Sequence, residues 1–182
     1  MLRHLGLIPA TLLTLFLSTT NFAAIATNLA KDADEIRQLL ETKICVACDL
    51  REAKLKGAKL KGANLRDANL ELAELTGVEL TDADLMNAIL KGANLVDADL
   101  VEANLRNADL RDTKLTNIFL TRADLRGALL ENADLTNAFL RGANLAGAKM
   151  KGAKLDGADW RSTILCNTIL PDGTVSDRDC QE

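Results

Sequence analysis

The stretch from Gly92 to Leu110 reads GANLVDADLVEANLRNADL, with leucine at 95, 100, 105 and 110 and alanine two residues before each. The same phase extends far to either side. Every fifth residue from Leu50 to Leu170 is leucine except Met150 and Trp160, 25 positions in all. Two places before these, nineteen residues are alanine and the others are Cys48, Val78, Thr113, Ile118, Thr163 and Thr168. The unit is therefore A-x-L-x-x. With leucine as position i, position i-1 is often Asn or Asp, and i+1 and i+2 are mostly polar or glycine.

A helix does not accommodate this period, because at 3.6 residues per turn each leucine is rotated by about 140° from the last. A straight strand puts i-2 and i on one face but i+3 and i+5 on the other. Every pair faces one core only if the chain bends at i+1 and i+2, where Gly57, Gly62, Asp67, Asn87, Gly92 and Asn107 supply turn chemistry. Four such bends close a square coil of twenty residues. Stacked coils put Leu65, Leu85, Leu105, Leu125 and Leu145 in one column. They put Asn64, Asp84, Asn104, Asp124 and Asn144 in an outward ladder, with Arg66, Arg106 and Arg126 beside it. The expected fold is an all-β solenoid of about six coils, roughly 30 Å long at the inter-strand spacing of about 4.8 Å. Burying each leucine contributes roughly 1.5 to 3 kcal/mol before chain entropy, so such a core sustains one domain.

These A-(D/N)-L-x-x repeats resemble the pentapeptide repeat family, and the resemblance covers about 125 of the 182 residues. It implies a right-handed quadrilateral β-helix, the handedness coming from the family alone. Leucine-rich-repeat horseshoes and coiled coils need other periods.

The first 26 residues are of another kind. Arg3 and His4 precede the apolar run Leu5 to Leu17, and Ala24-Ile25-Ala26 has small residues where a cleavage site needs them. Residues 1–26 are expected to be a signal peptide of the general secretory route, since the apolar run is shorter than the roughly twenty residues of a membrane span. No membrane association is expected after cleavage. Residues 27–44 form a linker and an N-terminal capping helix, with Ile36, Leu39 and Leu40 at helical spacing from Asp34 to Thr42. Residues 45–170 form the β-helix, with Trp160 filling its narrowing end, and 171–182 a C-terminal capping tail. Caps are needed because each open end exposes strand edge and core. The family resemblance points to the periplasm or thylakoid lumen, as in exported cyanobacterial members.

All four cysteines fall in the capping regions, as suits an exported chain. Four cysteines allow three pairings. Cys166 with Cys180 is favoured, because it pins the tail. Cys45 and Cys48 both fall at inward phases, which makes them a structural pair or buried thiols; a C-x-x-C redox role is the alternative.

No catalytic residue, metal site or cofactor is expected. The one histidine, His4, lies in the signal region, tyrosine is absent, and Ser162 and Ser176 are the serines beyond that region. The commonest general base and metal ligand are thus missing. The many carboxylates, recurring at repeat positions, read as a solvated face.

The resemblance also raises a second function, since some family members mimic DNA and bind bacterial topoisomerase. From Cys45 to Leu170, however, 18 acidic residues face 17 basic ones, spread along the rod. That charge and the export signal disfavour mimicry, and no nucleic acid is expected as partner. The expectation is a structural or protein-interaction module whose partner is an unidentified protein or a second copy. Phe119 and Phe139 occupy outward i-1 positions twenty residues apart and should stack on adjacent coils, with Val101 on the coil before; Ile89 and Leu129 occupy i-1 on the opposite side. They read either as scattered surface apolar groups or as a contact face.

Overall fold

The structure is a computed structural model that describes residues 33–180. The expected signal peptide and most of its linker lie outside the described residues. Parallel pairing joins residues twenty apart without interruption, from Ile44 with Asn64 through Asn104 with Asp124 to Lys149 with Ile169. The chain is thus a stack of twenty-residue coils with four short sides each. The leucines at the i positions from Leu50 to Leu145 are all nearly inaccessible, as are the alanines between them from Ala63 onward.

The five residues Asp84 to Ala88 show how the coil satisfies its backbone. The Asp84 N–H donates to Ala63 O of the coil before (2.8 Å), and the Leu85 and Asn87 N–H groups donate to Asn104 O (2.8 Å) and Arg106 O (2.9 Å) of the coil after. Ala88 N–H closes the corner on Leu85 O (3.0 Å). The fifth donor, Met86 N–H, points along no ladder, and it is taken by the Asp84 side-chain oxygen at 3.2 Å. No main-chain donor of the repeat is left over, as a compact fold requires.

Each corner places its i+2 residue in the left-handed region, the pattern of a type II turn. Asn87 (φ 59°) and Gly92 (φ 68°) are typical occupants, whereas Leu72 (φ 58°) is not. Its side chain spreads over Gly92, where an added Cβ would lie 2.8 Å from Leu72 Cδ2. Where threonine replaces the inward alanine, its hydroxyl is satisfied: Thr113 donates to Leu110 O and Thr168 to Leu145 O, at 2.5 and 2.8 Å.

The ends use side chains in place of a further coil. A helix, α1 (33–42), precedes the first coil. Of the three apolar residues at helical spacing, Leu39 is fully buried and Ile36 packs against the core, while Leu40 is exposed. A helix resting on a flat coil end presents one narrow stripe, and Leu40 stands one step (about 100°) around from Leu39. The Glu35 carboxylate accepts the Asp49 N–H at 2.7 Å, and Thr42 Oγ1 accepts the Ile44 N–H at 3.1 Å, while the Gln38 amide donates to Ile44 O at 3.0 Å. At the other end two short strands, β1 (Thr168–Ile169) and β2 (Val175–Ser176), pair antiparallel. The tail then returns across the last coil, where Asp179 accepts the Leu165 N–H at 3.0 Å and Arg178 donates to Thr163 O. Trp160 and Leu155 are partly buried against the core.

Two consequences can be measured. Glu35→Ala should speed hydrogen exchange of the Asp49 amide while leaving amides of the central coils, such as Leu105, unchanged, because opening free energies differ along a structure. Leu72→Asn should raise stability to urea by up to about 1 kcal/mol, since asparagine tolerates the left-handed region better than a branched aliphatic chain.

Candidate functional site

The outward positions divide into those that serve the coil and those that do not. Asn and Asp at i-1 serve it: Asn64, Asn69, Asp84, Asn94, Asp99, Asn104, Asp109, Asp124, Asp134, Asn144 and Asp159 each accept the N–H two residues on. This is the Asx turn. The aspartates at i-1 are therefore corner acceptors, a role that their reading as part of a solvated face did not include. Some are also tied across coils, as where the Asn104 amide donates to Asp84 Oδ1 at 2.8 Å. Of the arginines expected to offset the ladder, Arg66 pairs with Asp84 and Arg126 with Asp124.

Several of these carboxylates are held ionised. The guanidinium of Arg161 holds the Asp159 carboxyl down to about 2 from an ordinary 3.8, against the opposing effect of desolvation. The Asp109 carboxyl is lowered by its side-chain bonds from Arg111, and Asp134 by the hydroxyl of Thr136.

Phe119 and Phe139 lie where the corner acceptor would be. Phenyl rings accept no such bond, so the Thr121 and Arg141 N–H groups receive no i-1 side-chain oxygen. The rings are paired across adjacent coils, centroids 4.9 Å apart and 4° from parallel, and remain 41% and 43% exposed. Val101 stands around the corner at i+1, half-buried, its N–H on Asp99. Ile89 and Leu129 lie on the opposite side but are separated by Asp109, whose ion pair with Arg111 interrupts the column. Of these five residues, Phe119 and Phe139 are the two in direct contact on one side.

Basic residues occur along the whole rod, but the balance of charge differs by coil. Residues 45–64 carry five basic and two acidic side chains, residues 65–104 two basic and nine acidic, and residues 145–164 four basic and two acidic. The net charges are +3, -7 and +2. Periodicity alone did not reveal the banding, because charges scattered along the sequence become neighbours only once they are assigned to coils. Within the acidic band, Asp99 lies on the same side as Phe119 and pairs with it in the ladder, while Asp97 sits at the adjoining corner. Among the described residues neither carries an ion pair.

The remaining places hold little chemistry. A groove of about 390 Å³ at another corner is lined by Glu52, Lys54, Leu72, Glu74, Gly92, Asn94 and Lys114, where Gly92 leaves room. Cys45 is bonded to Cys48 and Cys166 to Cys180, with Cα separations of 5.4 and 4.6 Å. Cys45 is inaccessible and Cys48 is 8% exposed, which leaves no open sulfur for a redox partner. Among the described residues no His, Cys, Asp and Glu group could hold a metal ion, and no helix is long and apolar enough to cross a membrane.

A stack of four-sided coils with this repeat defines a class of solenoid. The family described as Pentapeptide repeats matches in eight copies over residues 48–87, 79–117, 88–127 and 123–159, more than half of the chain. The chain belongs to the pentapeptide repeat family, whose solved members fold as right-handed quadrilateral β-helices and are generally non-enzymatic. It is similar to HetL, a pentapeptide repeat protein involved in heterocyst differentiation regulation from the cyanobacterium Nostoc sp. strain PCC 7120, with 38% identity and a TM-score of 0.72. That match covers 73% of this chain and 62% of HetL. Further matches are Rfr23 from the cyanobacterium Cyanothece 51142 (28% identity, 76% and 98% covered, TM-score 0.38) and a pentapeptide repeat protein of the Arabidopsis thaliana thylakoid lumen (29%, 65% and 72%, 0.32). No curated protein matches the chain significantly.

The carboxylate pattern gives a pH test. A group whose folded pKa is depressed contributes stability that is complete above its unfolded value and is lost as pH falls through the folded one. The melting temperature should therefore be flat from pH 7 to about 5 and fall between about 4 and 2, as the depressed aspartates, Asp159 among them, protonate. Thermal melts across this range check it, and a midpoint of loss near pH 6 would contradict it.

Proposed function

We propose that this protein is a non-enzymatic protein-interaction module, exported from the cytoplasm to the periplasm or thylakoid lumen, which engages a partner protein through the face carrying Phe119 and Phe139. In this reading the rod is about six coils long, closed by α1 and by the disulfide-bonded tail. One observation carries the contact face: two stacked, exposed phenylalanines stand on adjacent coils at positions where the repeat elsewhere gains a corner hydrogen bond from Asn or Asp.

A second copy suits this face poorly. Parallel rods related by a two-fold axis bring Asp99 against its own equivalent, and antiparallel rods centred on the rings bring Asp99 against an Asp159 already paired with Arg161, so neither supplies Asp99 with a free cation from that side. Export rests on the sequence of residues 1–26 and agrees with two disulfides, which persist in oxidising compartments.

The test is a variant carrying Phe119→Asn and Phe139→Asn. Asparagine supplies the missing corner acceptors, so the melting temperature should stay within about 4 °C of the parent, or roughly 1 kcal/mol for a chain of this size. Crosslinked recovery of the partner from the native compartment should be lost. Equal recovery by parent and variant would overturn the reading.

A further inference from the structure

The geometry points to a basic partner: the segment that docks on the phenylalanine face carries an apolar or aromatic side chain followed along its length by lysine or arginine. This rests on the contact face proposed above and adds the chemistry of what occupies it.

On their side of the rod the phenylalanines stand between Asp159, which is engaged by Arg161, and Asp99, beyond which the side continues toward the N-terminus into Glu79. Asp97 and Glu102 flank it at the two corners. Glu79 is already engaged by Lys59 and Glu102 by Arg122. Among the described residues Asp97 and Asp99 have no ion-pair partner. The side chain of Asp97 accepts the Asn117 amide at 2.9 Å and that of Asp99 accepts the Val101 N–H at 3.0 Å, so both are positioned rather than free to turn away. They belong to the coils with net charge -7, and the rod is basic again at both of its ends. A partner laid along this side therefore meets an apolar step and then, one coil or about 4.8 Å further, a fixed pair of uncompensated carboxylates. Charge complementarity selects lysine or arginine there and repels an acidic or phosphorylated segment.

The carboxylates can be neutralised without disturbing the coil. Asparagine at 99 keeps the corner acceptor, as Asn94 and Asn104 do. Asparagine at 97 suits a left-handed position that Asn117 and Asn137 occupy in the same column.

The test uses the whole protein, isotope-labelled for NMR, with three pentapeptide amides as probes: Lys-Phe-Lys-Phe-Lys, Glu-Phe-Glu-Phe-Glu and Lys-Ser-Lys-Ser-Lys. The first should shift amides of residues 97–101, 117–121 and 137–141, and the other two should bind measurably more weakly. The Asp97→Asn, Asp99→Asn variant should weaken the first peptide by about three- to tenfold and flatten its dependence on salt, as expected for two exposed charge pairs. The Phe119→Asn, Phe139→Asn variant should abolish its shifts. If the acidic aromatic peptide binds this face equally well, or the aspartate variant binds as the parent does, the basic partner is wrong while the contact face stands. If no peptide shifts this face, or the phenylalanine variant binds unchanged, both readings fall.

Discussion

The fold depends on one constraint: a main chain that turns every five residues must still find an acceptor for every N–H group. Two donors per repeat go up to the next coil, one goes down to the previous coil and one closes the corner. That leaves the donor at i+1, and only an oxygen at i-1 reaches it. The Asn and Asp of the repeat are thus part of the backbone's own hydrogen bonding where they occur, although many repeats do without them. The same constraint governs the ends, where no further coil is paired. At the first coil Glu35 and Thr42 accept the N–H groups and Gln38 donates to the carbonyl; at the last coil Asp179 accepts and Arg178 donates. Each capping side chain imitates the donor or acceptor of an absent ladder strand. This is how a solenoid ends without leaving these groups bare.

Different parts of this arrangement were legible to different degrees. The leucine phase excluded helix and flat strand, located the corners and paired residues twenty apart, because a strict period leaves a core no other geometry. The role of Asn and Asp was not legible as chemistry. Their recurrence was plain, but the direction of the i+1 N–H becomes known only with the corner conformation. The exposure of Leu40 was not legible for a related reason, since helical spacing groups it with Ile36 and Leu39 but cannot tell how narrow a stripe a flat coil end will cover. Charge was legible as a sum and misleading as one. A near-neutral repeat region conceals a strongly acidic band between basic coils, which appears only when twenty consecutive residues are gathered into one layer.

Family membership narrows function by what it consumes. Inward positions are mostly leucine and alanine, corners are often Gly, Asn and Asp, and about half of the i-1 positions are corner acceptors, so a residue kept for binding has few places to stand. It must replace a corner acceptor or sit at i+1. HetL shares this architecture at 38% identity, but the chain spans only 62% of HetL, so that protein's regulatory role is not carried across.

The energetics of the phenylalanine pair bear directly on this. Each ring at i-1 forgoes a hydrogen bond with a net value of roughly 0.5 to 1.5 kcal/mol. Stacking between the two returns roughly 0.5 to 1.5 kcal/mol for the pair, beyond what their partial burial contributes. The two lost bonds, roughly 1 to 3 kcal/mol together, at least match the stacking, so the coil has little reason of its own to prefer phenylalanine over asparagine. Ile89 makes the contrast useful: it forgoes the same bond, yet Asp109 separates it from Leu129 and no continuous surface results. Stacked rings differ in presenting one rigid apolar step beside two fixed, unpaired carboxylates. A partner that covers the step removes the cost of its exposure to water, and one that brings a cation to Asp97 and Asp99 supplies the counter-charge that the rod itself places elsewhere.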